Sequence, residues 1–127
     1  MIIIQNAKYI VKKRRSNRLR KTIRKVISGD SKKPRMIIFR SNKYLYSQVY
    51  DDVNGKVLAH ASTLEKEVKS KLKSTKDKEA AKVMGEVIAD RLKKLKIKEV
   101  VFDRNIYSFA GRVKVFADSV REKGLKF

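Results

Sequence analysis

Residues 35–50, RMIIFRSNKYLYSQVY, decide the fold, because they contain two short β-prone runs joined by a polar, basic turn at residues 40–43. Side chains alternate between the two faces of a strand. One face of the second run suits a core, with Leu45, Ser47 and Val49. The other face is aromatic and polar, with Tyr44, Tyr46, Gln48 and Tyr50. We therefore predict a β-hairpin with one side facing the core and one side carrying tyrosines.

The tyrosine side has two interpretations. Tyrosines beside Arg40 and Lys43 offer flat stacking surfaces next to cations, which unstacked RNA bases and phosphates require. Tyrosines are also favourable strand residues whose rings simply cover a half-exposed sheet. The alternation alone does not choose between these interpretations, so the rest of the chain must decide.

The charge of the chain favours a polyanionic partner. Its 127 residues include 34 Lys and Arg against 13 Asp and Glu, which gives a formal net charge of +21. So many positive side chains repel one another in a folded domain. A polyanion would neutralise this charge, and nucleic acid is the leading candidate. We expect no membrane partner, because no apolar run approaches the roughly 18 residues of a transmembrane helix. The absence of cysteine excludes disulfides, thiolate zinc sites and a cysteine nucleophile.

The first part of the chain is a strongly basic segment. Residues 1–35 contain thirteen Lys and Arg and a single acid, Asp30. Apolar residues at helical spacing predict a basic amphipathic helix over about residues 17–28, with Gly29 at its end. Such a charge run is often only a solvated face or an arm that orders on binding, but in either case its chemistry is phosphate neutralisation. We predict a basic N-terminal arm over residues 1–34 and a single α/β RNA-binding domain over residues 35–127.

A third strand is predicted after the tyrosine run. Asn54-Gly55 is the strongest short hairpin signal, because both residues tolerate positive φ. Residues 57–62 then form an antiparallel strand, and its inward face has small side chains that leave room for helices. This face consists of Val57, Ala59 and Ala61.

Helices and a fourth strand complete the predicted domain. Residues 63–76 form a short helix or an irregular loop, and Asp77 caps a helix that runs to about residue 94. The apolar stripe of that helix consists of Ala80, Met84, Val87, Ile88, Leu92 and Leu95. The continuous apolar run within residues 98–103 predicts a strand that is covered on both faces and parallel to its neighbour. A last helix is predicted over residues 110–123. The order β-β-β-α-β-α predicts an α/β (α+β) fold with a mixed β-sheet and helices packed on it.

Catalysis is disfavoured by the positions of the acidic residues. Nucleases of the ribonuclease H type share this element order. Their two-metal chemistry needs several carboxylates, one of them from the first strand. The first predicted strand, residues 36–40, contains no carboxylate. We expect Asp103 to be a cap or an ion-pair partner, and Asp51 and Asp52 to serve a turn. His60 has no nucleophile motif and no second histidine beside it. We predict no metal site and no cofactor.

A second basic and aromatic cluster lies between the last strand and the last helix. It consists of Arg104, Tyr107, Phe109 and Arg112. The free N–H groups of a helix N-terminus favour phosphate at this point. Arg112 is unfavourable for the helix dipole in the first turn, which points to a bound anion, although a solvated arginine explains it equally well.

Five segments stand in order between residues 39 and 127: FRSNKYLYSQVYDD, HASTLEKE, KEAAKVMGEVIADR, VVFDR and GRVKVFADSVREKGLKF. Together they resemble the bacterial-type family of large-subunit ribosomal protein eighteen. The match of which they are part runs from about residue 14 to residue 127. The chain departs from the family pattern where Asn105-Ile106 replaces two glycines and where Phe109-Ala110 replaces Tyr-His. Residues 1–11 have no clear counterpart in the family.

The resemblance implies a non-catalytic protein that binds 5S rRNA and helps to attach it to 23S rRNA in the central protuberance of the large subunit, near large-subunit ribosomal protein five. It implies a cytoplasmic ribosome, with an organellar ribosome as the alternative. The implied rRNA-binding residues lie in the arm, the turn, the tyrosine strand and the loop before the last helix. They are Lys12, Lys13, Arg14, Arg15, Arg18, Arg20, Lys21, Arg24, Arg35, Arg40, Ser41, Asn42, Lys43, Tyr44, Tyr46, Arg104, Tyr107 and Arg112.

Two other functions stay open on the sequence. A nuclease on the same architecture would show magnesium-dependent cleavage that Asp103→Ala abolishes. A general nucleic-acid compactor would bind DNA and RNA alike, because counterion release from phosphates would supply all of its affinity.

Overall fold

The computed structural model describes Arg18, Lys21 and residues 28–127. Arg18 and Lys21 are helical and exposed, and Ser28 is not helical. The rest of the helix predicted over residues 17–28 lies outside the described residues. Within the described part of the chain, no helix is both long and apolar enough to span a bilayer.

A four-stranded mixed sheet forms the centre of the domain. Its strands are β1 (Arg35–Arg40), β2 (Leu45–Asp51), β3 (Lys56–Ser62) and β4 (Val101–Asp103). The order across the sheet is β3-β2-β1-β4. The first three strands are antiparallel neighbours, and β4 runs parallel to β1. The mixed sheet and the parallel return of the fourth strand are thus as predicted.

The helices follow the predicted order, and the segment predicted as a short helix or an irregular loop contains a short helix. They are α1 (Lys66–Lys69), α2 (Lys78–Lys94) and α3 (Gly111–Glu122). Asp77 caps α2, because its carboxylate accepts a hydrogen bond from the backbone N–H of Ala80 at 2.9 Å. The close approach of α2 and α3 requires Gly85, since a Cβ there would lie 2.9 Å from the carbonyl oxygen of Phe116.

The core lies between the sheet and the two long helices. Alternate β2 residues Leu45, Ser47 and Val49 are fully buried. They pack with β1 and with the inner faces of α2 and α3, where Met84, Ile88, Leu92, Phe116 and Val120 are also fully buried. Tyr46, Gln48 and Tyr50, between the buried β2 residues, are half-buried. The predicted division of β2 into a core face and an aromatic, polar face is therefore confirmed.

The turn between β2 and β3 differs from the prediction. It spans four residues, and only Gly55 has a positive φ, at 65°. Asn54 is held by Asp51 instead, whose carboxylate accepts hydrogen bonds from the backbone N–H of Asn54 at 3.2 Å and from its side chain at 2.7 Å. An Asx-type turn therefore takes the place of the expected pair of left-handed residues.

Two residues predicted for the core are half exposed, Val57 at 52% and Leu95 at 51%. The register between β2 and β3 shifts between Val49 and Tyr50, so that Val57 lies opposite Tyr50 and leaves the face of Ala59. The extra residue at this bulge interrupts the alternation along β3. Val57 therefore lies on the face opposite to the one that strict alternation from Ala59 predicts. Leu95 follows the last turn of α2.

The fourth strand is shorter and less covered than predicted. It has three residues, and Val101 and Phe102 are half-buried, whereas a strand covered on both faces was expected. The reason is its place at the edge of the sheet, where one side has no neighbouring strand. Residue Lys126 adds an isolated bridge to Glu99 just before β4.

Candidate nucleic-acid interface

The face of the sheet opposite the helices carries a row of aromatic and polar side chains, which we call the open face. Phe39 of β1 lies opposite Tyr46 of β2, and both are half-buried. Tyr50 donates its hydroxyl hydrogen bond to the amide oxygen of Gln48. The rings of Phe39, Tyr46 and Tyr50 are thus partly accessible, as stacking on a base requires, and the hydrogen bond holds that of Tyr50 in place.

The basic turn at residues 40–43 projects from one end of the open face, and its four side chains are exposed. Ser41 closes it, because its N–H donates to the carbonyl oxygen of Tyr44 at 2.9 Å and its hydroxyl accepts from the N–H of Tyr44 at 3.0 Å. Thr75 donates to the carbonyl oxygen of Lys43 at 2.5 Å. The turn therefore presents Arg40, Asn42 and Lys43 from a fixed backbone.

The loop before α3 joins this turn. The hydroxyl oxygen of Tyr107 accepts a hydrogen bond from the backbone N–H of Arg40 at 3.1 Å. The Arg40 guanidinium lies 4.1 Å from the centre of the Tyr107 ring, which is a cation–π distance. Two clusters that the sequence predicted separately thus form one surface, which we call the turn–loop surface and define as residues 40–44 with Tyr107.

Asn105 fixes the start of this loop. Its φ is 62°, a left-handed conformation that asparagine adopts more readily than most residues other than glycine. Its N–H donates to Asp103 at 2.8 Å, and its side chain donates to the carbonyl oxygen of Ile38 at 3.3 Å. Asparagine therefore adopts here a left-handed conformation that glycine would adopt without strain.

The predicted phosphate-binding arginines differ in their surroundings. Arg104 is exposed, and Arg112 is half-buried. The Arg112 guanidinium donates to the carbonyl oxygen of Lys76 at 2.9 Å. Because that carbonyl explains the position of Arg112, a bound anion is not needed to account for an arginine in the first turn of α3.

Arg35 has a different role from the predicted one. Its side chain is only 8% exposed and forms ion pairs with Asp52 at 2.9 Å and with Asp103 at 2.8 Å. Burial by itself lowers the pKa of Arg35, but the hydrogen bonds to both carboxylates outweigh it and raise the pKa overall. The guanidinium stays charged and joins β1, β4 and the β2–β3 turn, so we remove Arg35 from the set of residues offered to RNA.

The acidic residues near the sheet do not form a metal centre. Both oxygens of Asp103 are engaged, one by Arg35 and the other by the N–H of Asn105. Asp103 is thus the ion-pair partner that the sequence predicted. Across Arg18, Lys21 and residues 28–127, no three His, Cys, Asp or Glu side chains come close enough together to hold a metal ion.

His60, an exposed residue of β3, lies beside the half-buried ion pair of Glu65 with Arg91. Its Nδ1 lies 3.5 Å from Glu65, and Arg91 donates to both Glu65 oxygens at 2.9 and 2.6 Å. The hydrogen bonds from Arg91 hold the pKa of Glu65 below its ordinary value. This group links β3 to α2, a structural role.

Only two of the predicted arm residues lie within the described part of the chain. Arg18 and Lys21 are exposed. The others lie outside the described residues: Lys12, Lys13, Arg14, Arg15, Arg20 and Arg24. Arg121 and Phe127 are not among the predicted residues, although the Arg121 guanidinium lies 6.0 Å from the ring of Phe109 in the loop before α3 and 4.4 Å from that of Phe127. An arginine in the last turn of a helix is explained by the helix dipole, so the sequence gives no separate signal for Arg121.

Comparisons with known proteins agree on one family. The model of the family described as ribosomal L18 of archaea, bacteria, mitochondria and chloroplasts matches residues 6–127. The large ribosomal subunit protein uL18 of Dictyoglomus thermophilum is 52% identical over 105 residues, which cover 83% of this chain and 86% of that protein. The protein of the same name from Dictyoglomus turgidum is 49% identical over 127 residues, which cover both chains completely. That from Petrotoga mobilis is 44% identical over 126 residues, which cover 99% of this chain and all of that protein. The expectation that residues 1–11 lack a family counterpart is therefore wrong.

Proposed function

The chain belongs to the ribosomal L18 family, and from this we propose that it binds 5S rRNA and helps to attach that RNA to 23S rRNA in the central protuberance of the large ribosomal subunit. Its relatives are large-subunit ribosomal proteins, so the chain is a structural, non-enzymatic component of the ribosome. A nuclease activity is therefore no longer a candidate. The choice of 5S rRNA rests on the family resemblance, and the cation and rings of the turn–loop surface support RNA as the ligand.

The observation that carries the proposal is the stack of Arg40 on Tyr107 beside the tyrosines of β2. The guanidinium lies 4.1 Å from the centre of the ring. Tyr44 ends the same turn, and Tyr46 of β2 lies opposite Phe39, the residue before Arg40; both tyrosines are half-buried. Flat rings take up unstacked bases, and a guanidinium next to them binds phosphate through several N–H donors. A surface of this kind distinguishes an RNA with exposed bases from a plain duplex.

The arm has a second role in this proposal. Residues 1–34 form a basic arm that neutralises rRNA phosphates, and residues 35–127 form the domain that recognises 5S rRNA. Phosphate contacts supply affinity and register without selecting a sequence. By family resemblance the neighbouring partners are 23S rRNA and large-subunit ribosomal protein five.

General compaction of nucleic acid remains the competing function, because a net charge of +21 alone gives strong binding. The two functions differ in the role of the aromatic rings. A compactor gains all its affinity from counterion release and is indifferent to Tyr46. A 5S rRNA-binding protein loses selectivity when that ring is removed.

We expect Tyr46→Ala to weaken binding to 5S rRNA by about 1–3 kcal/mol, the value of one base–aromatic stack. Tyr46→Phe is the matched control, since it keeps the ring and should bind within about 0.5 kcal/mol of the wild type. Both variants are titrated against 5S rRNA and against an unrelated RNA duplex of similar length. Equal weakening of both RNAs by Tyr46→Ala would contradict the proposal.

A further inference from the structure

A groove runs along the outer edge of β4, next to the C-terminal end of α3. Three phenylalanines form its apolar wall, and the Phe102 ring lies 6.4 Å from that of Phe109 and 5.4 Å from that of Phe127. Phe109 is 39% exposed, so one ring of this wall is open to a ligand. The groove therefore has the flat aromatic surface on which a planar group can stack.

Three basic residues line the same groove, Lys33, Arg104 and Arg121. The Arg121 guanidinium lies 4.4 Å from the centre of the Phe127 ring and 6.0 Å from that of Phe109. In the described part of the chain, none of the three cations forms an ion pair with a carboxylate. The groove thus combines an aromatic wall with positive charge that no ion pair among the described residues neutralises.

The groove is separate from the open face. Phe102 lies beside Met36 in the parallel register, and it packs against Phe116 on the helix side of the sheet. Its neighbour Asp103 meets Arg35 on the opposite side. A ligand in the groove and an RNA segment on the open face therefore occupy different sides of the sheet.

We propose that this groove binds one unpaired RNA nucleotide, with its base on the exposed ring of Phe109 and its phosphate held by Arg104, Arg121 and Lys33. The positive charge selects a ligand that carries phosphate, and the aromatic wall selects a flat base. A base within a duplex is already stacked on both sides, so the nucleotide must be unpaired. This inference rests on the proposed function in taking RNA as the ligand, and it adds a second contact surface to it.

The test uses the full chain and a uridine octamer as the single-stranded probe. Phe109→Leu keeps an apolar side chain but loses the ring, and it should weaken octamer binding about tenfold. Arg121→Gln should weaken it about fivefold. The matched control is Lys114→Gln, which removes one exposed charge from the same helix outside the groove and should change binding less than about twofold.

Photocrosslinking locates the probe, which keeps the test decisive even where the arm contributes much of the affinity. An octamer that carries 4-thiouridine should crosslink to Phe109 or Phe127, and Arg121→Gln should reduce this product. Crosslinks confined to the arm or to β2 would overturn the proposal. It would also be overturned if an acidic peptide of equal charge displaced the octamer equally well and Phe109→Leu had no effect, because the groove would then be a simple anion site.

Failure of this proposal differs from failure of the proposed function. Titration of 5S rRNA in parallel separates the two. Selective binding of 5S rRNA without any effect of Phe109→Leu on the octamer would remove the groove as a nucleotide site and leave the function intact. Loss of selectivity for 5S rRNA would remove the proposed function itself.

Discussion

Arg35→Ala should lower the free energy of unfolding by about 3–5 kcal/mol, the cost of removing one partner from a buried ion pair. The substitution leaves Asp103, whose side chain is 2% exposed, as an uncompensated buried charge. It also removes the hydrogen bonds that Arg35 donates to both oxygens of Asp52 at 2.9 and 3.1 Å. Urea denaturation followed by circular dichroism measures the change.

Two further variants separate the buried ion pair from a general loss of positive charge. Arg104→Ala removes an exposed arginine next to Asp103 and should change the free energy of unfolding by no more than about 0.5 kcal/mol. Arg35→Lys keeps the charge but not the fork of donors, so its stability should lie between that of Arg35→Ala and that of the wild type. An Arg35→Ala protein as stable as Arg104→Ala would show that Arg35 does not hold the strands together.

Binding to 5S rRNA should weaken about 10³–10⁵-fold between 50 and 200 mM salt, the range expected when roughly 6–10 phosphates are neutralised. The cause is the release of counterions from the RNA by the basic arm, which holds most of the thirteen Lys and Arg of residues 1–35. Filter binding or fluorescence anisotropy over a series of salt concentrations gives the slope of log affinity against log salt.

A pair of double variants tests whether the arm causes this slope. Arg18→Gln with Lys21→Gln should reduce its magnitude by roughly 2, because each phosphate contact contributes about 1. Lys93→Gln with Lys94→Gln removes the same charge from exposed positions at the end of α2 and should leave the slope nearly unchanged. Equal slopes for the two double variants would show that the net charge of the molecule, rather than the arm, sets the salt dependence.

Those parts of the fold that depend on local pattern could be predicted from the sequence. The alternation along β2 has a period of two residues, which is visible within the strand itself. Asp77 precedes an apolar helical stripe, and Gly124 follows one, with a φ of 101°. Each of these signals lies within a few residues of the feature that it predicts.

Those parts that depend on distant contacts could not be predicted. Arg35 pairs with Asp103, which is 68 residues away, and Arg40 meets Tyr107 across 67 residues. No periodicity links such positions, so a buried arginine such as Arg35 and an exposed arginine such as Arg40 cannot be told apart in the sequence. The bulge that turns Val57 outward is likewise set by pairing with β2 rather than by the composition of β3.

The most direct test of the account is a competition titration of the intact protein with 5S rRNA, at about physiological ionic strength and again at higher salt. Unlabelled structured RNA of similar length and unrelated sequence serves as the competitor. We expect 5S rRNA to stay bound when the competitor is in large excess, and we expect this preference to survive the higher salt. Equal displacement by any RNA would contradict it, because charge alone would then account for the binding.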